Sequence, residues 1–301
     1  MSKKMRLTRA DKVYLTVVYT LVGIFILIVS YPLIYVLSCS FSDPDAVYAA
    51  KVYLWPVNPG LQGYKAVFTY PEVWIGYRNS LYFTALQTVV GVSGTMMGGY
   101  VLSRKEYPLR KFCMILFVIT MFFGGGLIPF YILITKLRLI NTYWSMILPG
   151  AFSFGGAIIV RTFITSSIPE ELFESLSMDG GSYADHFFRI VLPLCAPIIA
   201  VQCLSQVTGT WNSWFGPSIF IRDMDKYPLQ LILRRILVVS ANVSSNQSGF
   251  INTMVDRQAI AKMSELLKYS LIIVSSAPLL VLYPFMQRYF MKGMIVGSLK
   301  G

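Results

Sequence analysis

Charge is scarce in this chain. Asp, Glu, Lys and Arg make up 13% of 301 residues, about half the usual share of a globular protein, while hydrophobic residues reach 55%. So little charged surface cannot solvate a compact soluble protein of this length. The same balance excludes intrinsic disorder, which needs few apolar residues and much charge. Cysteine is sparse as well: Cys39, Cys113, Cys195 and Cys203 lie in or beside apolar stretches, with no CxxC pair. That excludes a disulfide scaffold and points to packing. His186 is the single histidine, so neither a His-based triad nor a histidine metal site can be assembled. No G-x4-G-K-[ST] segment occurs, so the chain has no phosphate-cradling loop of its own. There is no internal repeat and no low-complexity tract.

Long apolar runs are present instead, and mean hydropathy is +0.60. Six of them read as membrane-crossing helices, at 13–37, 79–103, 112–135, 143–165, 192–215 and 267–289, each near the ~20 residues that a hydrocarbon core requires. The first is too long for the apolar core of a signal peptide and has no small-residue cleavage site after it. Glycines interrupt the fourth and polar residues the fifth, which is tolerated where protein or a water-filled cavity satisfies the backbone. Gly94 and Gly98 form a small-xxx-small pair suited to close helix contact. The reading is an all-α polytopic helix bundle: a basic tail, 1–12, then one membrane domain, 13–301.

The net charge of +12 belongs to residues flanking these runs, where it sets topology and meets anionic lipid headgroups; nucleic acid is not the partner. Lys3, Lys4, Arg6, Arg9 and Lys12 against Asp11 hold the N-terminus in the cytoplasm. Arg104, Lys105, Arg110 and Lys111 crowd one short turn against Glu106, as a cytoplasmic turn should. Both termini are expected inside, with outer loops at 38–78 and 216–266. Within the second, KYPLQLILRRILV and VDRQAIAKMSELLKYSL read as helical pieces.

The cytoplasmic segment, 166–193, carries the most information. Ser167 and Glu170 have capping-box spacing, with Pro169 in the first turn. Glu170, Glu171 and Glu174 favour the positive end of a short helix, and Leu172, Phe173 and Leu176 give it one apolar face. Asp179-Gly180-Gly181 stops it. Ser182 and Asp185 can cap a second helix running to about Val191, ahead of Pro193. A helix, a glycine elbow and a second helix make a rigid lever.

This segment resembles the cytoplasmic signature of permease subunits in bacterial type I ABC importers, EAA-x3-G-x9-I-x-L-P. Glu174, Gly180, Ile190, Leu192 and Pro193 fall at that spacing, and Asp179-Gly180 matches the carbohydrate branch. Ser175 and Leu176 stand where the pattern has alanines. TWNSWFGP (210–217) is similar to a Trp-Asn segment of the same branch, and the ending QRYFMKGMIVGSLKG (287–301) to the oligosaccharide subgroup. The resemblance implies that the first short helix couples to a cytoplasmic ATPase, through Glu170, Glu171, Glu174, Met178, Asp179, Gly180 and Gly181. It implies these partners: a second homologous permease, two ATPase subunits that hold ATP and Mg, and an extracytoplasmic binding protein that delivers an oligosaccharide. In the family the second outer loop touches that binding protein. This chain itself would bind no cofactor or metal and would not be an enzyme.

Polar residues inside apolar spans are costly and merit a functional reading. Gln202, Gln206 and Thr210 recur at i, i+4 and i+8 of the fifth span, with Trp211 and Asn212 near its outer end. Amides beside aromatic rings suit the weak passage of a glycan; hydrogen bonding between helices is the alternative. An ion- or proton-coupled secondary transporter is the rival function, but that class places ionisable residues at mid-membrane, and these spans have almost none. A membrane scaffold without a conduit is the other rival.

Overall fold

The computed structural model describes residues 8–244 and 254–298, and among them there is no strand. Lys3, Lys4 and Arg6 of the basic tail lie outside the described residues, as do part of the second outer loop and the last residues of the C-terminal signature. The helices gather into two compact units. One holds the residues up to Tyr70 with Ile236–Ser276; the other holds Pro71–Arg235 and the residues from Ala277 on. The sequence reading treats the same stretch as a single membrane domain.

In the first unit, α1 (Arg9–Phe41) begins at a capping box. The Thr8 hydroxyl accepts the Asp11 N–H, and the Asp11 carboxylate accepts that of Thr8. At 33 residues it spans about 50 Å, and none of its apolar window is buried within the protein. Leu21, Phe25, Ile28 and Leu33 all face outward, a surface stable only in hydrocarbon. Helices α2 (Pro44–Tyr48) and α3 (Gln62–Thr69) follow. Cys39, Val47, Val52 and Leu266 form a small core, and Lys262 pairs with Asp45 at 2.6 Å.

The second unit is organised on α4 (Pro71–Ser103), α8 (Phe154–Ser167) and α12 (Ala196–Trp211), with α4 packed along the other two. The predicted second span starts at 79, but the helix starts at Pro71. Although as long as α1, α4 is not among the helices apolar enough to cross a membrane alone. Its buried side carries Asn79, Ser80 and Thr95, polar groups that neighbouring chain satisfies. Asn79 donates to the carbonyls of Asp225 and Tyr227, and Ser80 accepts the Leu229 N–H at 2.8 Å. The Gly94/Gly98 pair serves close approach: a Cβ on Gly94 would meet the Ala151 carbonyl at 2.8 Å, and one on Gly98 the Phe152 ring at 2.6 Å.

Three segments read as single spans are broken helices. The segment 112–135 is α5 (Arg110–Phe122) and α6 (Leu127–Lys136), bent by 116°. The break holds Gly124, Gly125 and Gly126, the last at φ +81°, a left-handed conformation that glycine adopts without strain. The segment 143–165 is α7 (Trp144–Ile147) with a 3₁₀ turn, Leu148–Gly150, bent by 40° against α8. The segment 192–215 bends by 79° between residues 194 and 196, and α12, of 16 residues, is its long straight piece.

Of the remaining elements, α9 (Glu171–Met178), α10 (Tyr183–Asp185) and α11 (Leu192–Leu194) precede α12, and α13 (Phe215–Phe220) follows it. The two helical pieces expected in the second outer loop are α14 (Leu229–Ser244) and the start of α15 (Met254–Ser298). The apolar part of α15, Ala261–Phe285, is long enough to cross a membrane, which moves the sixth span, expected at 267–289, toward the N-terminus.

Candidate functional site

The lever forms in 171–194, with two corrections. The Ser167–Glu170 capping box is absent, because Ser167 closes α8 and Glu170 stands at the start of α9 without a side-chain cap. The Glu170 carboxylate instead pairs with Lys105 in the turn between α4 and α5, and the hydrogen bond from Lys105 holds its pKa below the ordinary value. The second helix does not stop ahead of Pro193. After the Ser182–Asp185 capping box, His186–Val191 winds as a π-helix that runs on into α11, which contains Pro193. Proline has no N–H and its ring crowds the carbonyl of the preceding turn; a local π adjustment takes up that defect.

The elbow is a Schellman motif. The Gly181 N–H reaches the Leu176 carbonyl at 2.9 Å and the Gly180 N–H that of Ser177 at 3.1 Å, the paired bonds that satisfy the last carbonyls of a helix. Gly180 sits at φ +77° with nothing near its Cβ position, so its role is conformational. Gly181 is different: a Cβ there would meet the Leu176 carbonyl at 3.0 Å and its side chain closer still.

Each face of α9 has a distinct environment. Phe173 and Leu176 turn inward, while Leu172, expected on the same apolar face, is exposed with Glu171, Glu174 and Met178. Met178 is 88% exposed, a long apolar tip held in water by a rigid helix. Asp179 caps the helix from the exposed side. Behind the inward face lies a cluster that sequence reasoning missed. His186, 1% exposed, bonds through Nδ1 to the Tyr100 hydroxyl at 3.0 Å, and Phe173 meets its ring edge-on at 5.0 Å. The Arg104 guanidinium stands 4.9 Å from the Phe173 ring centroid and 5.7 Å from that of Tyr100, within cation–π range. Burial, then the charge of Arg104, push the His186 pKa below its ordinary 6.5, so the imidazole packs as a neutral ring.

Beyond the lever, a cleft of about 390 Å³ is lined by Gln87, Gly150, Ser205, Gln206, Gly209 and Thr210, among others. Its wall includes the interrupted backbone between α7 and α8, where the Gly150 carbonyl accepts Gln206 Nε2 at 3.1 Å. Non-helical backbone at membrane depth occurs where it lines such a cavity. Of the five residues singled out on the fifth span, Gln206 and Thr210 line the cleft. Gln202 is buried against Gly156, and Trp211 is buried beside Tyr77. Asn212 closes α12, donating from Nδ2 to the Thr208 carbonyl. Gln87 was missed although Ser80, Thr84, Gln87 and Thr88 stand at i, i+4, i+7 and i+8 of α4, a polar repeat that was a usable signal, as was the glycine at 150. In the second outer loop, the Arg234 guanidinium stacks on the Trp214 ring at 3.5 Å from its centroid.

No protein-family model matches the chain. Protein LplC of Bacillus subtilis is 33% identical over 90% of this chain and 89% of its own length. The polygalacturonan/rhamnogalacturonan transport system permease protein YtcP of the same organism is 32% identical over 97% of this chain and 99% of its own. Among solved structures, the crystal structure of a bacterial ABC transporter involved in the import of the acidic polysaccharide alginate contains a similar chain. It superimposes with a TM-score of 0.83 at 26% identity, covering 95% of this chain and 99% of that one.

Proposed function

The chain belongs to the permease subunits of type I ABC importers, in the carbohydrate-uptake branch, and from that premise we propose how it works. Its α9 docks on a cytoplasmic ATPase subunit, with Glu171 and Glu174 meeting polar groups of the groove and Met178 entering an apolar pocket. A second, similar permease completes the conduit. ATP and its Mg are held by the ATPase subunits, and this chain supplies no catalytic group. Both termini face the cytoplasm. An extracytoplasmic binding protein delivers an oligosaccharide to the opposite face, and the cleft between α4, α7 and α12 passes it by weak contacts to Gln87, Gln206 and Thr210. Rocking of the helix bundle, driven by ATPase closure, alternates access to the cleft.

One observation carries this reading. The outward face of α9 is apolar and acidic yet unburied, while its inward face is locked on His186 and Arg104. A surface so rigidly presented suits a partner groove. Cysteine placed at 178 should cross-link to the ATPase subunit in membranes, with a yield that changes on ATP binding. A Met178→Cys protein labelled only by membrane-impermeant reagent from the outside would overturn both docking and topology.

A further inference from the structure

A second cavity, of about 760 Å³, opens beside the turn between α4 and α5. Its walls carry Lys105, Arg110, Lys111 and Arg161, together with Tyr107, Met114 and Ile115. Among the described residues, Lys105 alone of these cations has a carboxylate partner, Glu170. Arg161 is half-buried on α8, and its Nε donates to the Leu102 carbonyl at 3.2 Å. That bond fixes the guanidinium on the cavity wall. A guanidinium fixed by one edge presents its other N–H groups in a fork that fits phosphate oxygens.

The apolar side of the cavity continues onto α5. No residue of α5 is buried, and Ile115, Leu116, Ile119 and Phe122 are exposed along it. Four cations therefore sit at the foot of an uncovered apolar helix, the arrangement of a headgroup beneath its acyl chains. A soluble anion would use the charges and leave the apolar wall wet. The volume falls in the range of small-ligand sites, roughly 300–1,000 Å³, and basic pockets between membrane helices select anionic lipid headgroups.

We infer that this cavity is a binding site for an anionic phospholipid, its phosphate held by Arg110, Lys111 and Arg161 and its acyl chains lying along α5. The site adjoins the lever through Lys105, yet it does not depend on how the lever docks.

The test uses the purified transporter, stripped of loosely held lipid and observed by native mass spectrometry. It is titrated with cardiolipin, with phosphatidylcholine and with inorganic phosphate. Cardiolipin should be retained selectively. Arg110→Gln with Lys111→Gln, both in the first turn of α5 and away from the core, should weaken retention about five-fold per removed charge, or roughly twenty-five-fold together. Lys136→Gln with Arg138→Gln, exposed at the end of α6, should change nothing. Arg161→Lys keeps the charge but loses the fork, and should fall between these limits. Equal retention of phosphatidylcholine, equal protection by inorganic phosphate, or an unchanged affinity in the Arg110/Lys111 variant would each overturn the assignment. So would cross-links showing that the partner permease covers this face of α5.

Discussion

The elbow at Gly180 offers the sharpest test, because two adjacent glycines are required for different reasons. Gly180 holds φ +77° in open space, so a larger residue meets no atom there and pays only for the left-handed backbone. That cost is about 1–2 kcal/mol for an L-residue and is greatest for a β-branched one. At 2 kcal/mol it shifts the bent elbow by roughly thirty-fold toward alternatives. Asparagine enters this conformation readily and serves at the same position in many helix ends. Gly180→Val should therefore uncouple ATP hydrolysis from uptake in proteoliposomes, while Gly180→Asn stays near wild type.

Gly181 adds an internal control. A Cβ at 181 presses on Leu176 and on the carbonyl that accepts the Gly181 N–H. The carbonyl cannot retreat without losing that bond. Gly181→Ala should thus disturb the elbow by crowding, and Leu176→Ala should partly relieve it by removing the side-chain half of the clash. Equal damage from Gly180→Asn and Gly180→Val, with normal membrane insertion, would refute the backbone argument. The side chain itself would then be meeting the docked partner.

On the outward face, Glu174→Lys and Met178→Asp should leave the unfolding free energy within about 0.5 kcal/mol of wild type, as surface changes do; recovery of the ATPase subunit in pull-down should fall about ten-fold or more. In the cleft, Gly150→Val would drive a side chain into the amides of Gln87 and Gln206, so initial uptake should drop with assembly intact; Gln206→Ala removes one hydrogen bond, about 1 kcal/mol, and should act more mildly. The pKa of His186 is depressed on folding, so the unfolded chain binds more protons below pH 6.5. The stability contributed by the neutral ring is complete above that value and is lost as pH falls toward the lower native pKa. Melting temperatures measured from about pH 5 to 7.5 should show this slope in wild type and lose it in His186→Gln.

The lever was legible because local rules build it: the glycine stop, the Ser182–Asp185 cap and the turn-by-turn spacing are all properties of neighbours in sequence. The Ser167–Glu170 cap failed because α8 extends through Ser167 and a cation sixty-five positions away, Lys105, takes the carboxylate. Tertiary contact outweighed local propensity there. Hydropathy located every long apolar run but could not tell a straight span from a broken one, since three glycines at 124–126 scarcely change a window average while allowing a bend of 116°. Of the cleft, the amides on α12 were readable by their repeat, whereas Gln87 shares a polar row on α4 with the buried Ser80 and Thr84, and only the Gly150 backbone beside it marks it as cleft-lining.

Lever and cleft are joined without an intervening loop. The same α4 that carries Gln87 to the cleft ends at Ser103, and seventeen positions beyond Gln87 comes Arg104, the cation stacked on Phe173 of the lever. At the rise of an α-helix that separation is about 26 Å. On the other side the π-helix runs on through α11 to the bend at Cys195, beyond which α12 carries Gln206 to the same cleft. A push on α9 therefore has two routes, one through a ring-and-cation contact and one through continuous backbone. The contact is the weaker link, with cation–π pairs at such sites worth about 1–2 kcal/mol. Arg104→Gln should for that reason leave α12 coupled and detach α4: ATPase stimulation by the loaded binding protein should fall several-fold while ATPase docking persists. If Arg104→Gln abolishes docking as completely as Met178→Asp, the cluster is only a scaffold for α9, and the two-route account is wrong.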